Sequence, residues 1–394
     1  MLDISISILF ILSGFVFIAS KKNHLEIADV RNLKKLWVFH LLFSFVFYLY
    51  TRTNSADTNG YWRIAKESSW EDILFFMTRG MGTPMMYIVN YFPSKVLDLS
   101  IFTGTMIYAF LGFLGIYFFY RIVIDLIPYN SRFFGFLIFP LLFFLPSLHF
   151  WGSGTGKDTL LFLSIGMFAF SLMKMKRRIL LLLAGGIIAL LIRPHVFIIL
   201  LASAGCAFLT TTRIKGYKRV FSFMILSTMI ILILPKVLEY VNLEGNSLEE
   251  AFNRLDEQAS NLSGDEVGSS IDIQSYPFYL KVLTFLYRPL FFDYNGLFSL
   301  VTSFENLLLL LLTIKVLLNK PVQAFKQAPL VIKMLLLFLI FGTLIFAFSL
   351  SNLGIILRMK NMFVPGLLIY FIWSLSYSHS VENATEIILK KENN

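Results

Sequence analysis

Long apolar runs, separated by charged loops, recur from one end of this chain to the other. They constrain the fold more than any other feature. Inside a bilayer no water bonds the backbone N–H and C=O groups, so a crossing segment satisfies them within its own helix or in a closed barrel. Crossing a hydrocarbon core of about 30 Å takes roughly 20 mostly apolar residues in a helix. The runs here have helical length, and a soluble core could not absorb so many. Composition agrees, with 57% hydrophobic and 15% charged residues, against about 25% charged in an average soluble domain. The expectation is an all-α polytopic membrane protein forming a single membrane domain over residues 1–394. About eleven spans are expected, near 4–20, 36–50, 101–120, 133–149, 158–173, 179–192, 196–212, 220–240, 297–314, 334–350 and 362–378.

The loops give the orientation. Basic residues crowd loops 21–35, 121–132, 174–178 ("KMKRR"), 213–219 and 315–333, and the tail at Lys390 and Lys391. These are alternate loops, and the positive-inside rule puts all of them in the cytoplasm. The N-terminus then faces out and the C-terminus in. The net charge of +10 is therefore mainly a topology signal, and a nucleic-acid partner is not expected. The first 20 residues carry Asp3 and no basic n-region, so they read as a retained span rather than a cleaved leader. The single cysteine, Cys206, can form no internal disulfide, and no His/Cys/carboxylate group has metal-ligand spacing. Neither a metal nor another cofactor is expected.

The opposite, outer loops hold the candidate chemistry. The two long ones are 51–100 and 241–296. Within the second, Ser247 and Glu250 form a capping-box pattern ahead of Leu248, Phe252, Leu255, Ala259 and Leu262, which predicts an amphipathic surface helix over 247–262. "HFWGSGTGKDTLLF" imitates a phosphate loop, but Trp151 stands where the first glycine belongs and Asp158 where the Ser or Thr belongs. A span rather than a strand precedes it, and it faces away from cytosolic ATP. The span that follows is short, so the loop carrying Lys157 is expected to dip below the membrane surface. In "LLIRPHVF", Arg193, Pro194 and His195 interrupt a run too long for one span, which puts Arg193 and His195 inside the outer leaflet. An ionisable group at that depth is a functional candidate by default, although an arginine at a helix end can also snorkel.

"FLYRPLFFDYNGLF" repeats the Arg-Pro pattern at Arg288, with Asp293 five residues on; Phe291, Phe292 and Tyr294 read as interface anchors. Arg358 and Lys360 precede the last span, where flanking charge is ordinary. Asp57 in "NSADTNGYW" is by itself a turn residue. His149 either pairs with Asp158 or caps its span, and Asp158 either orients Lys157 or caps the helix that follows. Several cations near the outer leaflet suit an anionic lipid headgroup, because arginine binds phosphate bidentately.

Taken together, the chain resembles the Wzy-type O-antigen polymerases, bacterial inner-membrane enzymes that join lipid-linked oligosaccharide repeat units. The resemblance is architectural and extends over essentially the whole chain. Its most family-like stretches are "PSLHFWGSGTGKD", "IRPH" and "FLYRPLFFDYNGLFSLVTSFEN". Asp57 in "SADTNGYW" is similar to the acidic residue in the first outer loop of polytopic glycosyltransferases that use lipid-linked sugars. The resemblance implies a periplasmic active site in the inner membrane. There the growing glycan leaves undecaprenyl diphosphate for a sugar hydroxyl of the next lipid-linked unit. It implies Arg193, Arg288, Arg358 and Lys157 as diphosphate-binding residues, His195 or Asp57 as the general base, and Asp158 and Asp293 in support. The implied partners are the lipid-linked oligosaccharide, the membrane and a chain-length regulator protein. Two alternatives stand beside it. One is a transferase adding single residues from a lipid-linked sugar. The other is a flippase or transporter of the lipid-linked unit, which usually shows matching halves that are not seen here.

Overall fold

The computed structural model describes residues 2–54, 56–211, 217, 224, 228, 276–350 and 352–392. The expected span at 220–240, the expected helix at 247–262 and most of loop 241–296 lie outside the described residues.

Helices make up most of the described chain. Five are long and apolar enough to cross a membrane: α1 (Leu2–Ser20), α2 (Ile27–Thr53), α6 (Ile101–Leu126), α12 (Leu297–Leu317) and α14 (Leu330–Ser349). A sixth forms if α15 (Leu353–Lys360) and the following α16 (Val364–Glu392), bent by 58° at a short break, count as one broken span. This is a helical membrane protein by length and composition of its helices. Three further apolar helices are shorter: α9 (Ile179–Ile192), α10 (Pro194–Leu209) and α11 (Phe278–Tyr287).

The run 133–149 is not one helix. Arg132–Phe133 (β1) and Phe136–Leu137 (β2) pair as a small antiparallel hairpin, a short turn of helix covers Ile138–Leu141, and α7 begins only at Pro146 (Pro146–Trp151). Pro140 and Pro146 supply the reason, since neither carries an N–H for the helical ladder. Asn130 also donates to and accepts from the backbone of Phe139, which takes up bonds that a continuing helix would have used.

The chain divides into two compact units. The first contains residues 1–119 and 143–197, the second 120–142 and 198–394. In the first, helices close on each other through glycine. A Cβ on Gly14 would lie 2.3 Å from the Trp37 ring, and one on Gly112 would lie 1.8 Å from the Gly152 carbonyl oxygen. Gly166 of α8 (Lys157–Leu172) rests against the Gly115 backbone, and Gly185 of α9 against Ser164 of α8. Small residues allow this approach where apolar burial gives lipid-embedded helices no mutual attraction. Trp37 Nε1 donates to the Ile11 carbonyl at 3.0 Å and fixes α1 on α2.

Loop 51–100 of this unit is folded. It forms α3 (Asp57–Glu67), α4 (Trp70–Thr78) and α5 (Thr83–Tyr91), followed by a wide helical turn at Phe92–Val96. Ser69 and Asp72 cap α4 reciprocally: the Asp72 N–H donates to Ser69 Oγ, and the Ser69 N–H donates to the Asp72 carboxylate at 2.7 Å. Those bonds from Ser69 hold the Asp72 carboxyl below its ordinary value.

In the second unit, α11, α12, α14, α15 and α16 pack together with α13 (Pro321–Gln327). Glycine again sets the spacing: a Cβ on Gly366 would lie 2.5 Å from the Leu335 carbonyl oxygen. Several segments expected to be basic loops meet at one end of this unit. Lys315 Nζ donates to the Arg132 carbonyl, Lys333 Nζ to the Thr210 carbonyl, and Ser378 Oγ to the Asn319 carbonyl.

Candidate functional site

In the first unit the site is built where two helices break. The glycine-rich segment 152–156 is buried and leads into α8, whose first residues are Lys157 and Asp158. Opposite it, α9 ends at Ile192 because Pro194 follows, and Arg193 sits in the gap before α10. Arg193 Nη2 donates to Asp158 Oδ1 at 2.9 Å, and Arg193 is 8% exposed. The carboxylate lies in the first turn of α8, where the helix dipole favours negative charge. One ion pair thus joins the start of α8 to the end of α9.

Lys157 points elsewhere. Its Nζ donates to Thr83 Oγ1 at 2.8 Å and lies 5.7 Å from the centre of the Tyr61 ring. Both partners come from the folded loop 51–100, one from α5 and one from α3. The Gly82 N–H donates to the Leu191 carbonyl at 2.8 Å, so the loop's backbone is fastened to the end of α9. A Cβ on Gly156 would lie 3.9 Å from Oγ1 of Thr58, the residue next to Asp57, so the start of α3 faces the glycine-rich segment. Asp57 is exposed in the first turn of α3. Burial, and then the Asp57 carboxylate, raise the Tyr87 hydroxyl above its usual value, so it stays a hydrogen-bond donor at neutral pH. Lys157 and Arg193 both lie close enough to His195 to act on it electrostatically. Asp57, Lys157, Asp158, Arg193 and His195, expected from sequence, therefore share one neighbourhood.

Thr58, Tyr61, Thr83 and Tyr87 belong to the same neighbourhood and were not singled out from sequence. They are ordinary residues of an amphipathic loop, and only the fold shows which of their faces meets Lys157. His149 does not pair with Asp158. Its Nε2 donates to the Phe143 carbonyl at 2.7 Å, and its Nδ1 lies 3.0 Å from Nδ1 of His40 on α2. Since a carbonyl only accepts, Nε2 carries the His149 proton and His40 Nδ1 donates to His149. The buried pair fixes α7, and with it the entry to segment 152–156.

No protein-family model, curated protein or solved structure matches this chain.

The second unit holds the remaining expected residues. Arg288 follows α11 and is gripped by Asp293, through Nε at 3.0 Å and through Nη2; its Nη1 donates to Tyr276 Oη at 3.2 Å. Asp293 also accepts from the Leu290 N–H. The hydrogen bonds that Arg288 donates to Asp293 hold the guanidinium above its ordinary value. Arg358 is half-buried on α15. Lys360, which from sequence is either flanking charge or one of the converging cations, is buried: its Nζ donates to Asn306 Oδ1 at 2.6 Å and to the Leu286 carbonyl at 3.1 Å. Asn306 in turn donates to the Pro289 carbonyl at 2.8 Å. The carbonyls on either side of Arg288 are thus both held by buried side chains. Among the described residues, no group of three or more His, Cys, Asp or Glu side chains is placed to hold a metal ion.

Proposed function

We propose that this chain is a membrane-embedded glycosyltransferase that polymerises lipid-linked oligosaccharide repeat units, as Wzy-type polymerases do. In this reading it lies in the bacterial inner membrane with about eleven spans, its N-terminus periplasmic and its C-terminus cytoplasmic. The observation that carries the reading is the meeting of two cations, Lys157 and Arg193, at broken helix ends with the carboxylate-bearing start of α3. The acceptor hydroxyl oxygen attacks the anomeric carbon of the donor. The bond from that carbon to the diphosphate oxygen breaks, and its electron pair leaves with undecaprenyl diphosphate. Lys157 and Arg193 stabilise the charge that builds on the leaving group, a task to which fixed cations in a dry site are suited. Asp57 takes the hydroxyl proton; being exposed, it can pass that proton on to water. Tyr87 and Thr83 orient sugar hydroxyls, and His195 completes the wall. Arg288 and Arg358 bind the diphosphate of a lipid-linked unit in the second unit of the chain, with Asp293 bracing Arg288.

The test is the glycan profile of a deletion strain complemented with variants. The wild-type chain should restore a ladder, whereas Lys157→Met and Asp57→Asn should leave a single repeat unit at normal protein level. Loss of one such stabilising group costs roughly 10²–10³-fold in rate. A normal ladder from both variants would remove this site from the mechanism. Asp57 serves equally a transferase that adds single residues; a product one unit longer, with no ladder from the wild-type chain, would select that reading.

A further inference from the structure

The β1–β2 hairpin is unused by the proposed chemistry and is built against local preference. Arg132 pairs with Leu137 and Phe133 with Phe136, leaving the two-residue turn Phe134-Gly135. Both turn residues have positive φ, 47° for Phe134 and 81° for Gly135. Such turns favour Asn, Asp or Gly at the first position, and a bulky aromatic there is a backbone outlier. Phe134 is nonetheless 75% exposed and Phe136 68%. Neither tip side chain repays the strain by packing in the interior.

The base of the hairpin is rigid. The Ile138 N–H donates to the Ser131 carbonyl, and Asn130 clamps Phe139. Lys315, at the end of the membrane-length helix α12, donates to the Arg132 carbonyl at 3.0 Å and sits 5.1 Å from the centre of the Phe133 ring. The hairpin is thus fastened to the end of a helix long enough to cross a bilayer, where Leu317 and Leu318 are also exposed. The charge around it is mainly basic. Arg132 and Lys320 are exposed and Lys315 is half-buried, while Asp125, at the end of the helix that leads into the hairpin, is paired with Arg121. An aromatic tip, a cationic collar and the end of a membrane-length helix suit the headgroup boundary of an anionic leaflet, where aromatic rings sit and Lys or Arg gains about 1 kcal/mol each.

We propose that the Arg132–Leu137 hairpin is an interfacial anchor whose Phe134–Phe136 tip inserts into an anionic lipid leaflet beside the end of α12. This inference does not depend on the enzymatic reading. It is tested on the full chain carrying Cys206→Ala and Phe134→Cys, with a nitroxide on the new thiol. The protein is reconstituted in phosphatidylcholine vesicles with and without phosphatidylglycerol. Collisions with oxygen and with a water-soluble nickel chelate report depth, and Glu67→Cys provides the exposed control. In anionic vesicles, nickel collisions at 134 should fall several-fold below the control while oxygen collisions rise. Arg132→Gln with Lys320→Gln should reverse most of that shift. Nickel collisions equal to the control would overturn the anchor. Equal depth in neutral and anionic vesicles would overturn the assignment to anionic lipid. Spin–spin broadening that grows with the protein-to-lipid ratio would assign the tip to a second copy instead. Phe136→Cys repeats the measurement should the label at 134 disturb the turn.

Discussion

At the scale of single residues, the Arg193–Asp158 pair and Lys157 separate stability from function. Arg193 and Asp158 are both largely buried and bonded to each other. Removing one partner strands a buried charge, which typically costs about 3–5 kcal/mol, whereas replacing both with apolar residues is far milder. Arg193→Leu should therefore lower the thermal midpoint in detergent strongly, and Arg193→Leu with Asp158→Leu should recover most of it. Recovery of fold without recovery of product is the signature expected of a residue that also binds substrate. Lys157→Met removes a bond to the neutral Thr83 hydroxyl and a contact with the Tyr61 ring and strands no buried carboxylate bonded to Arg193, so it should lower the midpoint much less than Arg193→Leu. Sequence marked Arg193, Lys157 and Asp158 because charge at membrane depth is costly. It could not mark their partners. Thr83 lies 74 residues from Lys157 and His40 lies 109 from His149, and nothing local in either segment encodes the other.

At the scale of elements, glycines with opposite surroundings give a matched pair. A Cβ on Gly112 meets the Gly152 carbonyl, backbone against backbone, while one on Gly60 of α3 meets nothing. Gly112→Ala should destabilise by about 1–3 kcal/mol, as overpacking does. Gly60→Ala should stabilise by up to about 1 kcal/mol through helix propensity. Thermal unfolding in detergent reads both. The cap of α4 makes a pH prediction. Asp72 has its folded value depressed below 3.8. Its contribution is complete above 3.8 and is lost as pH falls through the lower folded value. Amide exchange over residues 70–73 should quicken below that range, and Ser69→Ala should remove the pH dependence. Apolar length located α1, α2, α6, α12 and α14 well, but it misread two things. Helix α2 starts at Ile27, not near 36, because a helix does not stop where the lipid stops. The run 133–149 breaks because Pro140 and Pro146 outweigh its hydropathy.

At the scale of the molecule, the alternation of basic loops makes a claim that labelling can check. With Cys206→Ala as background, an impermeant maleimide added outside intact spheroplasts should react with Glu71→Cys and spare Lys176→Cys. The reverse pattern would invert the topology and put the Lys157 neighbourhood in the wrong compartment for a periplasmic reaction. The short helices carry a consequence for how the protein is made. At 16 and 14 residues, α8 and α9 rise about 24 and 21 Å, less than the bilayer core. Each also has a charged residue beside the end that meets the other. Neither is a good passenger for the insertion machinery alone. Together they form a hairpin whose far end pairs Arg193 with Asp158 and leaves the positive charge of Lys157. If α8 and α9 enter the bilayer as the eleven-span reading expects, Arg193 should have to be synthesised before Asp158 leaves water cheaply. A nascent chain arrested with Arg193 still in the exit tunnel should leave the 158–172 segment open to a water-soluble thiol reagent at an engineered cysteine. One arrested after α10 has emerged should not.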